Sequence, residues 1–159
     1  MMIRAYQADD VDQIEALILP IQQTEFEIDI SFQDQPDLSD IAGFYQHGVG
    51  EFWVMETDGR IVGSIALLDI GNQQAALRKM FVLSSYRGRE KGVAKALLDH
   101  VITHARQQSV ESIFLGTTEA FKAAHRFYEK NGFAACDILE LPEAFPRMAV
   151  DTKFYRLSL

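Results

Sequence analysis

The sequence predicts an α/β domain built on a mixed sheet, antiparallel in its first half and with a parallel pair at its centre. Three observations carry that reading. Glu51 to Met55, Thr57-Asp58-Gly59 and Arg60 to Ile70 read as strand, hairpin turn and returning strand, and Gly71-Asn72 turns the chain into a third strand at 75–82. Short turns of this kind join antiparallel neighbours. Further on, a loop, an amphipathic helix over about 91–107 and a strand from Glu111 to Gly116 make a strand–helix–strand unit. Such a crossover leaves its two strands parallel and is nearly always right-handed. Finally, 159 residues at 48% hydrophobic and 24% charged suit one core of useful size, so residues 1–159 are read as one domain.

The remaining elements follow in order. Residues 2–6 read as a first strand. Asp9 is positioned to cap a helix whose apolar residues Val11, Ile14, Leu17 and Ile18 recur at helical spacing, with Pro20 marking its end. Residues 21–36 read as polar and irregular. Asp37 is positioned to cap a second short helix through Ile41, Phe44 and Tyr45. After the crossover, a helix over about 119–131 closes at Gly132, and Phe133 to Leu139 and Thr152 to Leu157 supply the last two strands. The count is about seven strands and about four helices.

Composition narrows the function classes. Fifteen Lys and Arg against 23 Asp and Glu give a formal net charge of -8, which argues against a nucleic-acid-binding surface. The start Met1-Met2-Ile3-Arg4 lacks the apolar core of a signal peptide. The longest apolar run, Ile61 to Leu68, is broken by Gly63 and Ser64 and is too short to span a bilayer. A cytoplasmic protein with no membrane partner is the expectation. The single cysteine, Cys136, allows no disulfide within the chain and is read as a buried structural thiol. His100 and His104 have i, i+4 spacing, but no third ligand stands at a sensible distance; the pair is read as lying on a solvated face, and no metal site is expected.

The segment Tyr86-Arg87-Gly88-Arg89-Glu90-Lys91-Gly92-Val93-Ala94 carries the chemistry. It opens the long helix, where backbone N–H groups and the helix dipole favour an anion. Gly92 lets the backbone approach a ligand, Ala94 keeps the first turn open, and Arg87, Arg89 and Lys91 add positive charge. Neither a P-loop nor a dinucleotide fingerprint fits. Read from the residues alone, the segment is a polyphosphate site or merely a Gly- and Arg-rich helix entry.

Arg89-x-x-Gly92-x-Ala94 resembles the Arg/Gln-x-x-Gly-x-Gly/Ala signature of the GNAT superfamily of N-acetyltransferases. Downstream, Ala124-His125-Arg126-Phe127-Tyr128-Glu129-Lys130-Asn131-Gly132-Phe133 is similar to that family's Ala-x-x-Leu-Tyr-x-x-x-Gly-Phe segment. The element order also agrees, and the chain looks like a small stand-alone bacterial member. The resemblance implies the GNAT fold, a mostly antiparallel sheet whose central parallel pair splays apart. It implies acetyl-CoA as cosubstrate, with the pyrophosphate cradled by Arg87, Gly88, Arg89, Glu90, Lys91, Gly92, Val93, Ala94 and Lys95. The pantetheine arm would run beside Met80, Phe81 and Val82, and Phe121, Ala124, Phe127 and Lys130 would also meet the coenzyme. It places Tyr128 where its phenol protonates the departing thiolate; spacing alone reads Tyr128 as a core aromatic with Ala124 and Phe127.

Three departures stand out. Phe121 occupies a position where many relatives carry Asn. The interval from Val82 to Arg89 is longer than usual, which brings Tyr86-Arg87-Gly88 into the phosphate region. The strand at 75–82 has no Glu that could serve as base, and Arg78 and Lys79 stand there instead. Glu25, Glu27, Asp34 and Asp69 are the base candidates. Glu25, Phe26, Gln35 and Arg78 are candidates for the acceptor site, Arg78 as partner of a substrate carboxylate. The loop from Leu141 to Pro146 reaches over that site or packs on a second subunit, so a homodimer stays open. The expected reaction is direct attack of a primary amine, on a small molecule or a protein, upon the thioester in a ternary complex. A non-catalytic acyl-CoA sensor or interaction module is the alternative.

Overall fold

The computed structural model describes all 159 residues. Its elements are β1 (Met2–Ala5), α1 (Val11–Pro20), α2 (Pro36–Ser39), α3 (Ile41–Tyr45), β2 (Glu51–Thr57), β3 (Arg60–Asp69), β4 (Gln74–Val82), α4 (Val93–Gln107), β5 (Ser112–Thr117), α5 (Lys122–Lys130), β6 (Ala134–Cys136) and β7 (Lys153–Ser158). The seven strands form one sheet in the order β1-β2-β3-β4-β5-β7-β6. All neighbours are antiparallel except β4 and β5, the pair joined by the α4 crossover. No helix is long and apolar enough to cross a membrane.

The sheet is covered on both faces. Trp53, Ile65, Leu67, Ile113 and Leu115 pack under the buried stripe of α4, which is Val93, Leu97, Leu98, Val101 and Ala105. That stripe recurs at helical spacing and explains why the segment coils where it does. The alternate residues of the same strands, Phe52, Val54 and Ala66, meet Ile14, Leu17, Ile18, Leu38 and Tyr45 of α1, α2 and α3. On this second face a smaller cluster of Ile70, Ala76, Phe114, Phe145 and Phe154 lies under the 137–152 loop. A cleft opens between these two clusters.

Two irregularities create that cleft. The β4–β5 pairing runs only from Gln74↔Ser112 to Ala76↔Phe114 and then stops. Beyond it, Leu77–Val82 and Leu115–Thr117 have no partner strand between them, so the parallel pair is splayed. The β3–β4 register also slips: Ser64 faces Phe81 but Ala66 faces Arg78. Lys79 and Met80 therefore stand opposite the single residue Ile65, a β-bulge, and Lys79 takes a φ of 52°. Ser64 Oγ donates to the Lys79 carbonyl at 2.7 Å and holds the bulge.

Several local expectations are corrected. Pro20 is the last residue of the α-helix, as expected, but the chain does not become irregular there. The chain continues as a π-helical turn, Ile21–Glu25, closed by Phe26 N–H to Ile21 O at 3.1 Å. A proline lacks the N–H and crowds the preceding turn, and the wider π turn accommodates both defects. Asp9 caps nothing: a 3-10 turn, Ala8–Asp10, precedes α1, and the Asp10 carboxylate takes the Gln7 N–H (2.8 Å) and the Arg4 guanidinium. The cap of α3 is Asp40, which accepts from Gly43 N–H at 3.0 Å, whereas Asp37 is buried beneath the helices. The strand expected over 133–139 stops at Cys136 because Asp137 accepts from Leu139 N–H and opens a 3-10 turn. Cys136 lies half-buried on that edge strand rather than in the core, and burial pushes its thiol pKa up. His100 is exposed, as expected of a solvated face, but His104 is half-buried. Both rings stand edge-on to Trp53, and His104 Nε2 bonds with Val49 O at 2.8 Å.

Candidate active site

The Gly88–Val93 turn is built to leave donors free. Lys91 N–H and Gly92 N–H both go to Gly88 O at 3.2 Å. No acceptor within the chain meets the N–H groups of Gly88, Arg89, Glu90, Val93, Ala94 or Lys95. Three of these open α4, which has no side-chain cap. Gly92 sits there at φ 69°, and a Cβ on it would meet nothing within 4 Å, so both its backbone angle and the open space suit an approaching ligand. The side chains of Arg89 and Lys91 are exposed and have no carboxylate partner within 4 Å, whereas Lys95 is paired with Asp99 at 2.6 Å.

Arg87 is engaged elsewhere. Its Nε donates to Val82 O at 2.8 Å, and its two terminal nitrogens grip the Glu25 carboxylate, Nη2 to Oε1 at 2.8 Å. This pair holds the Glu25 pKa below the usual carboxylate range. Next to it, Phe26 packs on Phe121 with ring centroids 4.5 Å apart. Glu25 and Phe26 thus tie the π-helical turn to the loop through Arg87 and to the start of α5 through Phe121.

The cleft itself holds about 870 Å³ of space open to solvent and follows the splay between β4 and β5. Met80, Phe81, Phe121, Ala124 and Tyr128 line it. Phe127 packs against the α4-side core, and Lys130 is exposed in the last turn of α5. Tyr128 is buried among Phe127, Phe133 and Tyr155, and its hydroxyl points at Met80 Sδ, 3.7 Å away. Burial raises its pKa well beyond that of a free phenol, so the group stays protonated and keeps a proton to donate. Thr118, at the end of β5, was not singled out by its sequence context. Its Oγ1 is the one buried side-chain polar atom without a hydrogen-bond partner, and it lines the same cleft.

On the acceptor side the bulge turns two consecutive cations to one face. Arg78 is half-buried over the Phe44 ring, 5.6 Å from its centroid, with Nη2 3.4 Å from Met148 Sδ; no carboxylate lies within 4 Å of it. Lys79 is 7% exposed, donates to Gln35 Oε1 at 2.5 Å and lies 3.5 Å from Asp37. Tyr45 donates to the same Asp37 carboxylate at 2.5 Å. Gln35 and Gln22 exchange amide hydrogen bonds at 2.9 and 3.0 Å. Burial lowers the Lys79 pKa to about 8 despite Asp37. Gln35 is fully buried in this network, so it supports the floor of the cleft and does not face an acceptor.

None of the four carboxylates considered as bases lines the cleft. Glu25 is held by Arg87. Glu27 is exposed. Asp34 is exposed and caps the Ser31 turn. Asp69 accepts from Val49 N–H and Gly71 N–H at 3.1 and 2.8 Å. Asp151 is the only carboxylate among the cleft-lining residues. Burial raises its pKa, opposed by the Met148 N–H and by the charges of Arg78 and Lys79.

Comparison with known proteins gives a consistent picture. Residues 15–133 match the model of the acetyltransferase (GNAT) family. The chain is 42% identical over 108 residues to N-acetylaspartate synthetase of Xenopus tropicalis, covering 65% of this chain and 38% of that protein. It therefore spans well under half of that curated relative. Among solved structures, an acetyltransferase of the GNAT family from Staphylococcus aureus Mu50 superposes with a TM-score of 0.94 at 38% identity, over 99% of this chain and 98% of that one. An acetyltransferase from Streptococcus agalactiae 2603 superposes with a TM-score of 0.95 at 32% identity, again over 99% and 98%.

Proposed function

The chain belongs to the GNAT family of acetyltransferases, and from that premise we propose that it transfers the acetyl group of acetyl-CoA to the primary amine of a small, carboxylate-bearing acceptor. The observation that carries the coenzyme half is the set of unpaired amides of Gly88, Arg89, Glu90, Val93, Ala94 and Lys95, at the mouth of a splayed strand pair. A diphosphate satisfies such amides together with the dipole of α4. The pantetheine arm fits the splay, where β4 and β5 are no longer paired with each other and the orphaned Thr118 Oγ1 offers a further hydrogen bond. This Thr is a polar group near the position where Phe121 has replaced the family's Asn.

The chemistry needs few groups. Beyond Ala76 the edge of β4 that faces β5 has no strand partner, and a backbone N–H on that edge suits the thioester oxygen and the charge that develops on it. The Tyr128 hydroxyl, protonated and buried, suits donation to the departing sulfur. The acceptor half rests on Arg78, a half-buried guanidinium without a carboxylate partner, lining the cleft beside the reacting region. Arg binds carboxylates bidentately when the geometry allows. That the Xenopus relative is named for acetylation of aspartate supports the same acceptor class.

The test is release of free thiol from acetyl-CoA with a panel of α-amino acids, ω-amino acids and amines that lack a carboxylate. Turnover is expected with carboxylate-bearing amines. Turnover restricted to carboxylate-free amines contradicts the acceptor class, and coenzyme A binding without turnover on any amine contradicts the enzyme reading.

A further inference from the structure

We propose that Asp151, in the loop before β7, is the general base that frees the acceptor amine; the proposal rests on the acetyl-transfer reading above. Two observations single out this residue. It is the only Asp or Glu lining the cleft. Its Oδ2 is fixed by the Met148 N–H at 3.2 Å, while Oδ1 makes no hydrogen bond within the chain. A carboxylate with one oxygen anchored and the other free is oriented for proton abstraction.

The backbone around Asp151 is arranged to admit it. Thr152 N–H donates to Thr117 O at 2.9 Å, which pins the loop to the end of β5. The carboxylate then lies against Gly116: a Cβ there would stand 2.6 Å from Asp151 Oδ2, closer than any real contact allows. Gly116 pairs with β7 but has no partner on its β4 side, so the carboxylate rests on the rim of the splay and on the same sheet face as Arg78 and Lys79.

The charge pattern suits a zwitterionic acceptor. The charged groups that face Asp151 are Arg78 and Lys79 of β4. The adjoining β5 stretch contributes Gly116 and no charge; Lys153 of β7 is turned onto the Tyr155 ring, 5.5 Å from its centroid. Lys79 is already committed to Gln35 and Asp37, which leaves Arg78 as the cation and Asp151 as the anion available to a ligand. An acceptor with a carboxylate and an ammonium group matches that pair.

The proton account closes. The ammonium gives one proton to Asp151 Oδ1, which passes it to solvent. The nitrogen lone pair forms the new C–N bond at the thioester carbon. The C–S bond breaks with its electron pair going to sulfur. The second nitrogen proton ends on that sulfur, relayed through the Tyr128 hydroxyl.

The experiment compares unmodified protein with Asp151→Asn and Asp151→Glu, using the best acceptor of the amine panel. Asp151→Asn is expected to lower kcat about 100-fold or more, to leave the coenzyme A dissociation constant unchanged, and to erase the acid limb of the kcat/KM profile. Asp151→Glu, which keeps a carboxylate, is expected to retain that limb with part of the rate. Full activity of Asp151→Asn, or an acid limb that survives in it, overturns the assignment while leaving acetyl transfer intact. Absence of turnover in the unmodified protein overturns the functional reading and this proposal with it. A weakened coenzyme A affinity in both variants alike would instead mark Asp151 as a structural support of the cleft and would also overturn it.

Discussion

Tyr128 shows how much one side chain's role depends on its surroundings. On a surface helix a tyrosine is an amphipathic contact; here it is walled in by Phe127, Phe133 and Tyr155, with only its hydroxyl reaching the cleft beside Met80. Tyr128→Phe removes the donor and keeps the ring. We expect kcat to fall at least about tenfold, with little change in coenzyme A affinity, measured by steady-state kinetics and by titration. Equal losses in both would reduce Tyr128 to a binding residue. Lys79 makes the opposite kind of statement, about stability. Its folded pKa of about 8 lies below the 10.5 of an unstrained lysine, because burial penalises the ammonium more than Asp37 favours it. Between those two values the unfolded chain binds more protons than the folded one, so this group's contribution to stability rises with pH from about 8 to 10.5. Tyr45, in the same network, is pushed well above 10 and works in the other direction only beyond that point. Lys79→Met should lower stability by about 3–5 kcal/mol near neutral pH, since Asp37 is then left buried without its cation. It should also lack the alkaline rise, as read from denaturant melts of both proteins across that range. Parallel curves for the two proteins would contradict this account.

At the scale of elements, the crossover loop was readable because its signals are local. The glycines, the basic residues and the onset of an amphipathic stripe all lie within a dozen positions, and helix α4 begins within two residues of its expected start. The hairpin at Asp58-Gly59 was readable for the same reason, since both residues adopt positive φ. The β4 bulge was not. Strict alternation along Leu77-Arg78-Lys79-Met80 puts Lys79 on the α4 side with Leu77; the extra residue instead sends Leu77 and Met80 to one core and Arg78 and Lys79 to the other face. Nothing within the strand announces a bulge, because its partner β3 and the Ser64 hydroxyl impose it. Gln35 was misread for a related reason: a polar residue in a polar segment gives no sign that a buried lysine will claim it. The loop makes a direct prediction. Gly92→Glu should weaken coenzyme A binding at least about tenfold, through both the lost φ of 69° and the added charge. Gly92→Asn, which tolerates that backbone region and adds no charge, should keep most of the thermal stability and more of the affinity. Indistinguishable affinities for all three, by calorimetry, would remove the loop from the site.

Across the whole molecule, one sheet presents two different faces to one reaction. The α4 and α5 face supplies the unpaired amides, Tyr128 and Thr118; the opposite face supplies Arg78, Lys79 and Asp151; and the splay between β4 and β5 is where they meet. The strand order and both helical layers were legible in the chain, because each depends on periodicity and turn residues. Of the residues that the sequence offered for an acceptor site, only Arg78 lines the cleft. Asp151 stands 73 positions from Arg78 in the chain, in a loop without a motif, and only the antiparallel return of β7 along β5 brings it to the cleft. The Glu25–Arg87 and Phe26–Phe121 contacts likewise join segments far apart in the chain. The most direct measurement is a crystal structure of the protein with coenzyme A. The account predicts diphosphate oxygens on the amides between Gly88 and Lys95, the pantetheine between β4 and β5, and the thiol beside Tyr128. A coenzyme bound outside the splay, or a diphosphate that leaves those amides unpaired, would contradict it.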